Sequence, residues 1–216
     1  MPIRTLIQKE GRVPQAYDLG IKNAQGDLLL FIDDDAIAEP LWVDKYITFF
    51  NKFKNIGGAS GKIYMAKIDT DGKITDLKEF KGGLDTKKIF WRKPLKNLNG
   101  YCEGVSISGF NYQSNCKCES GYYLSAILHG ANMAFKKEAL TNIRLGDLFK
   151  NSRSGFYFEE VLAYHSISQG FDTFNICNKD IAPIVFHLEH QDSITRKKDG
   201  KMNFGYIMIV LNSFIG

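Results

Sequence analysis

Residues 27–35 read DLLLFIDDD, five unbroken apolar side chains between Gly26 and three consecutive carboxylates. A run this short, with no polar residue alternating through it, suits a strand covered on both faces, as in the parallel part of an α/β sheet. Asp33, Asp34 and Asp35 would then stand at the C-terminal end of a central strand, where open α/β sheets place their ligands. Three adjacent carboxylates repel one another. A hard divalent cation would offset that charge and could hold phosphate oxygens in turn. An exposed Asp-rich loop capping the next helix is the plainer alternative.

The neighbouring segments fit an α/β frame. Residues 3–8, IRTLIQ, predict a short strand, and QAYDLGIKNA predicts a helix from about Gln15 to Ala24, closed by Gly26. Pro40 opens a second helix, LWVDKYITFFNKF, and GGASGKIYMA returns as a strand. From about Lys67 to Ser120 the periodicity weakens into turn clusters and hairpins, an excursion that could form part of a substrate cleft. Order resumes with YYLSAILHGANMAF, a strand turning at Gly130 into a helix near Lys137. A helix follows at YFEEVLAYHSISQG, then two strands, FDTFNICN and APIVFHLEH. With 216 residues, 44% hydrophobic and 24% charged, the expectation is a single domain over residues 1–216 with one sizeable core.

Composition narrows the function classes. The formal charge is only +4, and the lysines and arginines are spread out, the densest groups being Lys87-Lys88, Lys136-Lys137 and Arg196-Lys197-Lys198. That argues against nucleic acid as a partner and reads as solvated surface; the last group could meet phosphate or an anionic membrane. Cys102, Cys116, Cys118 and Cys177 have neither disulfide-scaffold nor zinc-ribbon spacing, so a reduced, cytoplasmic protein is expected, with Cys116-Lys117-Cys118 a poor metal motif. No stretch reaches the ~20 apolar residues that span a bilayer. The apolar FGYIMIVLNSFIG near the C-terminus reads as core, with a membrane-surface contact as the alternative.

Two further features carry chemistry. FYFEEVL sets Glu159 and Glu160 among aromatic neighbours that could desolvate one of them and raise its pKa, although acids at a helix start also serve simply as dipole partners. His187 ends an apolar strand and could be either a structural imidazole or a third metal ligand.

Taken in order, GRVPQAYDLGIKNAQGD, LLLFIDDDAIAEPLWVDKYI, HGANMAFKKEAL, FEEV with a following GFD, and VFH resemble glycosyltransferase family 2, of the GT-A fold, from about Gly11 to His187. The resemblance implies a mixed, mostly parallel sheet flanked by helices. It implies a metal-dependent enzyme that moves a sugar from a UDP- or GDP-sugar to a glycan, lipid-linked or other acceptor hydroxyl, with inversion. The family's D-x-D motif falls on Asp33-Asp34-Asp35, which gives Asp35 to Mg²⁺ or Mn²⁺ and Asp33 or Asp34 to the nucleotide-sugar or the same ion. The donor-lining turn falls on Gly130, Ala131 and Asn132, the general base on Glu160 or Glu159, and a further metal ligand on His187. The chain departs from the pattern at Ala16-Tyr17-Asp18, where the family carries alanine-arginine-asparagine, and at Glu160, where it carries Asp.

The family's first strands, which hold the nucleotide base, have no counterpart here. About 70 to 90 residues of a typical domain would precede IRTLIQ, supplied by an N-terminal segment or by a second chain. Two competing readings follow from the same residues. One is a GT-A-like domain that binds a glycan or protein without turnover. The other is a haloacid-dehalogenase-type phosphatase with Asp33 as nucleophile, for which the hydroxyl residue expected two positions after Asp35 is missing.

Overall fold

The computed structural model describes residues 3–9, 11–80, 93–107, 109, 111–114, 116–150 and 157–188. Lys87-Lys88, Arg196-Lys197-Lys198, the FGYIMIVLNSFIG segment and part of the 67–120 excursion lie outside these residues. Helix α1 spans Val13–Asn23, β1 Leu28–Ile32, β2 Ala36–Ala38, α2 Trp42–Phe50, β3 Ile56–Ser60, β4 Lys62–Ile68 and β5 Ile74–Glu79. There follow β6 Glu103–Val105, β7 Asn111–Gln113, β8 Tyr122–Leu124 and β9 Asn132–Lys136. After them come a 3-10 turn Lys137–Leu140, α3 Leu145–Leu148, α4 Phe158–Ser168, β10 Asp172–Ile176 and β11 Ile184–Leu188.

The strands form a five-stranded sheet in the order β1-β9-β3-β10-β8, a four-stranded sheet β2-β11-β4-β5, and the β6–β7 hairpin. The α/β expectation holds, but the sheets are mostly antiparallel rather than mostly parallel. Of eight pairings only β3–β10 and β4–β11 are parallel. Nor is β1 a central strand. Among the described residues it is an edge, antiparallel to β9, and its burial is uneven: Leu29 is buried while Ile32 is exposed. The place expected for β1 belongs to β9, which sits between β1 and β3.

Alternation along β9 shows how both faces of the large sheet are filled. Met133 and Phe135 pack with Ile21 of α1, Leu140, Leu145, Phe158 and Leu162 on one side. Ala134 joins Trp42, Tyr46, Phe49 and Phe50 of α2 on the other, with Ile56, Phe174 and Val185. Fully burying each large apolar side chain contributes about 1.5–3 kcal/mol before chain entropy is counted. Helix α4 comes close to β3 because β3 has no side chain at its second position. A Cβ at Gly57 would lie 2.2 Å from Ser166 Oγ and 2.5 Å from Phe171 Cβ.

Several local expectations change. Residues 3–8 form no strand; Ile3 and Ile7 are exposed, and no strand edge receives them. α1 ends at Asn23 with Ala24 in extended backbone, so Gly26 is not a left-handed cap. The segment expected as a helix near Lys137 is a single 3-10 turn. Asp18 explains one departure from the family pattern. Its carboxylate accepts from Leu145 N at 2.8 Å and Gly146 N at 2.6 Å, capping the first turn of α3 from another helix. Asp18→Ala is expected to lower stability by about 0.5–2 kcal/mol, measured by urea unfolding.

The described part of the excursion contains the hairpins β4–β5 and β6–β7. The second is tied to the large sheet through Glu103, a buried carboxylate. It accepts from Gln113 Nε2 at 2.7 Å, Ser125 Oγ at 2.9 Å, Tyr123 OH at 3.3 Å and Asn175 Nδ2 at 3.4 Å. A covalent tie lies close by: Cys118 and Cys177 form a disulfide across a 59-residue separation. The expectation of four reduced cysteines is therefore corrected, and Cys118 is not half of a metal-binding C-x-C pair.

Candidate metal and sugar-transfer site

The end of β1 and the turn after it build the site. Ala36 N bonds Asp33 O at 3.2 Å, closing the turn, and the chain then leaves the large sheet to become β2 of the second. There β2 pairs with β11, setting His187 opposite Ala36, and Leu188 N donates to Asp35 O at 2.8 Å. This register brings His187 Nε2 to 3.2 Å from Asp35 Oδ1 and 3.4 Å from Asp33 Oδ2. One ligand atom from each of the three residues lies within 4.8 Å of the others.

The donor set fits a divalent cation. Two carboxylates and an imidazole suit a metal of the Mg²⁺ or Mn²⁺ type, the imidazole favouring Mn²⁺. Asp35 Oδ1, although near His187, is buried without a hydrogen bond, and so is His187 Nδ1. Burial is the main cause that pushes the Asp33 carboxyl up; His187 opposes the shift, and the charges of Asp35 and Asp34 add to it. A cation would relieve that crowding.

Tyr17 lies in the wall of the same site. Its ring stacks on Phe31 at 5.1 Å and meets Phe158 at 4.4 Å. Burial raises its phenol, and the charges of Glu159 and Asp33 raise it further, so the hydroxyl stays protonated near both carboxylates. His129, whose ring meets Phe80 edge-on at 5.5 Å, is kept neutral by burial down to about pH 4.

The two glutamates at the start of α4 face different neighbours. Glu159 lies against Gly130, where an added Cβ would be 2.7 Å from Glu159 Oε1; the missing side chain is what admits the carboxylate. Burial raises Glu159 well above the usual range, and Glu160 and Asp33 add to the rise. Glu160 is buried and accepts from Asn111 Nδ2 of the β6–β7 hairpin at 3.0 Å. Burial raises it too, but the Asn111 bond favours its charged form.

The side chains of the other two residues expected to line a donor sugar, Ala131 and Asn132, make their contacts within the protein. Ala131 is in the core. Asn132 is fully buried, and its amide is spent on protein: Oδ1 accepts from Trp42 Nε1 and Tyr46 OH, both at 2.8 Å, and Nδ2 donates to Lys62 O at 2.8 Å and Pro183 O at 2.9 Å. It joins β9 to α2, β4 and the entry to β11. A polar residue inside an apolar strand needs such partners, so the Asn in GANMAF was a legible sign of a buried hub.

The family model described as glycosyl transferase family 2 matches residues 2–110, half of the chain, with the aspartate turn inside the matched part. The chain belongs to glycosyl transferase family 2. Within that family assignment, Asp33 and Asp35 come from the matched half, while the remainder brings His187 to both and Glu159 to the neighbourhood of Asp33. No curated protein matches the chain. No helix among the described residues is long and apolar enough to cross a membrane.

Proposed function

We propose that this family 2 domain transfers a sugar from a nucleoside-diphosphate sugar, of the UDP or GDP type, to an acceptor hydroxyl. The observation that carries the reading is the meeting of Asp33, Asp35 and His187 at the end of β1 in a chain of this family. Those three residues would hold Mg²⁺ or Mn²⁺, with Asp34 and the Gly130 turn beside the donor. When bound, the ion supplies positive charge against the diphosphate leaving group.

The glutamate pair supplies the base. Two adjacent carboxyls pushed apart by their surroundings divide the roles between them. Asn111 favours the charged form of Glu160, whereas Glu159 is crowded by Glu160 and Asp33 and holds its proton. Glu160 therefore removes the acceptor hydroxyl's proton, and the oxygen attacks the anomeric carbon in one displacement, with inversion as in the family. The β6–β7 hairpin, which carries Asn111, forms the acceptor side.

Calorimetry tests the metal-and-donor part. Mn²⁺ should bind the chain, and UDP or GDP should bind more tightly with Mn²⁺ than without it. Asp35→Asn should weaken Mn²⁺ by more than the ~10–100-fold typical of losing an outer-shell partner. Equal Mn²⁺ affinity in the wild type and the variant would remove the basis for the reading.

A further inference from the structure

His129 is a titratable side chain that the proposed reaction leaves unused. It precedes Gly130, the residue against which the Glu159 carboxylate lies. Its backbone is held at both ends: His129 N donates to Ser60 Oγ at 3.1 Å, and His129 O accepts from Asn132 N at 2.8 Å. Ser60 Oγ in turn donates to Asn132 O at 3.0 Å, which closes the turn. The ring is half-buried, and neither of its nitrogens has a hydrogen bond among the described residues.

Phe80 stands beside it. Phe80 follows β5, its N–H donates to Ile63 O of β4 at 2.9 Å, and its ring meets the His129 imidazole edge-on at 5.5 Å. Phe80 is 46% exposed, so much of an aromatic ring is open to solvent next to an imidazole with uncommitted nitrogens. It belongs to the same 67–120 excursion as Asn111, the partner of Glu160.

From this arrangement we infer that Phe80 and His129 form a subsite for a pyranose ring, the place of a sugar acceptor in the reaction proposed above. The acceptor role rests on that reaction; the subsite itself does not. A pyranose has a face of C–H groups, which packs on an aromatic ring, and a rim of hydroxyls, which need donors and acceptors. A neutral imidazole offers one N–H and one bare nitrogen, and burial keeps His129 in that form down to about pH 4. An alkyl acceptor would use the ring and leave the imidazole idle. A phosphate would call for a cation, which His129 is not.

Histidine ring ¹⁵N spectra of the full chain read the subsite without requiring turnover. The probes are the methyl β-glycosides of glucose, galactose, mannose, N-acetylglucosamine and N-acetylgalactosamine, and the His129 signals are identified by their loss in His129→Gln. At least one pyranoside should move them. Phe80→Leu, which keeps an apolar side chain and removes the ring, should weaken that pyranoside by about 3–10-fold, the order of one aromatic contact. Phe80→Tyr should retain it, and neither variant should change Mn²⁺ affinity. In a transfer assay with the same sugar the loss should fall on the acceptor KM and leave kcat unchanged. The inference is overturned if no pyranoside moves the His129 signals while Mn²⁺-dependent nucleotide binding is intact, a result that leaves the transfer reaction standing. It is overturned too if hexan-1-ol moves them and no pyranoside does, or if Phe80→Leu binds the pyranoside as the wild type does. Pyranoside binding in a chain that binds no nucleotide with Mn²⁺ upholds the subsite and removes the reaction alone.

Discussion

Glu160→Gln is expected to lower the rate of sugar transfer by about 10²–10⁴-fold, the range lost with a positioned general base, while leaving Mn²⁺ affinity close to wild type. Glutamine has the same shape and can turn its carbonyl to the Asn111 amide, so the 3.0 Å contact is kept and folding is spared. Glu159→Gln is the informative partner. Glu159 faces Gly130 and Asp33, so its loss should act more on donor affinity than on turnover. The measurement is nucleotide release from a panel of UDP- and GDP-sugars with each variant. The assignment of the base reverses if Glu159→Gln loses turnover and Glu160→Gln keeps it. If neither variant changes the rate of an active chain, the pair is not catalytic.

Asn132→Ala should be the most damaging single change to stability outside the apolar core. It strands two buried donors, Trp42 Nε1 and Tyr46 OH, and takes one donor away from each of two carbonyls, Lys62 O and Pro183 O, the second of which keeps its bond from Lys62 N at 2.9 Å. A buried polar group left without its partner costs about 1–3 kcal/mol. Partial relaxation and water entry bring the expected total to roughly 3–5 kcal/mol, at the upper end for single substitutions. Urea unfolding followed by tryptophan fluorescence would measure it. A loss below about 1 kcal/mol would mean that the four contacts are replaced as easily as surface ones, and that Asn132 is free to serve a ligand after all.

The sequence placed the aspartate turn well because that reading is local. An apolar run ending in charge marks the end of a strand whichever sheet the strand joins. It misplaced β1 within its sheet because the same run serves an edge strand: Leu29 packs into the core and Tyr17 stacks over Phe31, while Ile32 stays exposed. Strand direction is set by partners distant in the chain, so the prevalence of antiparallel pairs had no local sign. Tyr17 and Asp18 looked like losses from the family pattern. In the structure one lines the site and the other caps α3. Cys118–Cys177 was beyond reach because cysteine spacing does not fix connectivity, and the pairing depends on β8 lying beside β10.

The metal candidates stand on two sheets: the carboxylates at the end of a strand in the large one, the imidazole within β11 of the small one. Occupancy and the docking of the two sheets are therefore one equilibrium viewed from two sides. An ion at about one hundred times its dissociation constant would add about 2.7 kcal/mol to the folded state. That gain should appear as slowed amide exchange in β2 and β11, where the sheets meet the aspartate turn, while the β6–β7 hairpin, which supplies none of the three ligands, changes only as far as its opening is global.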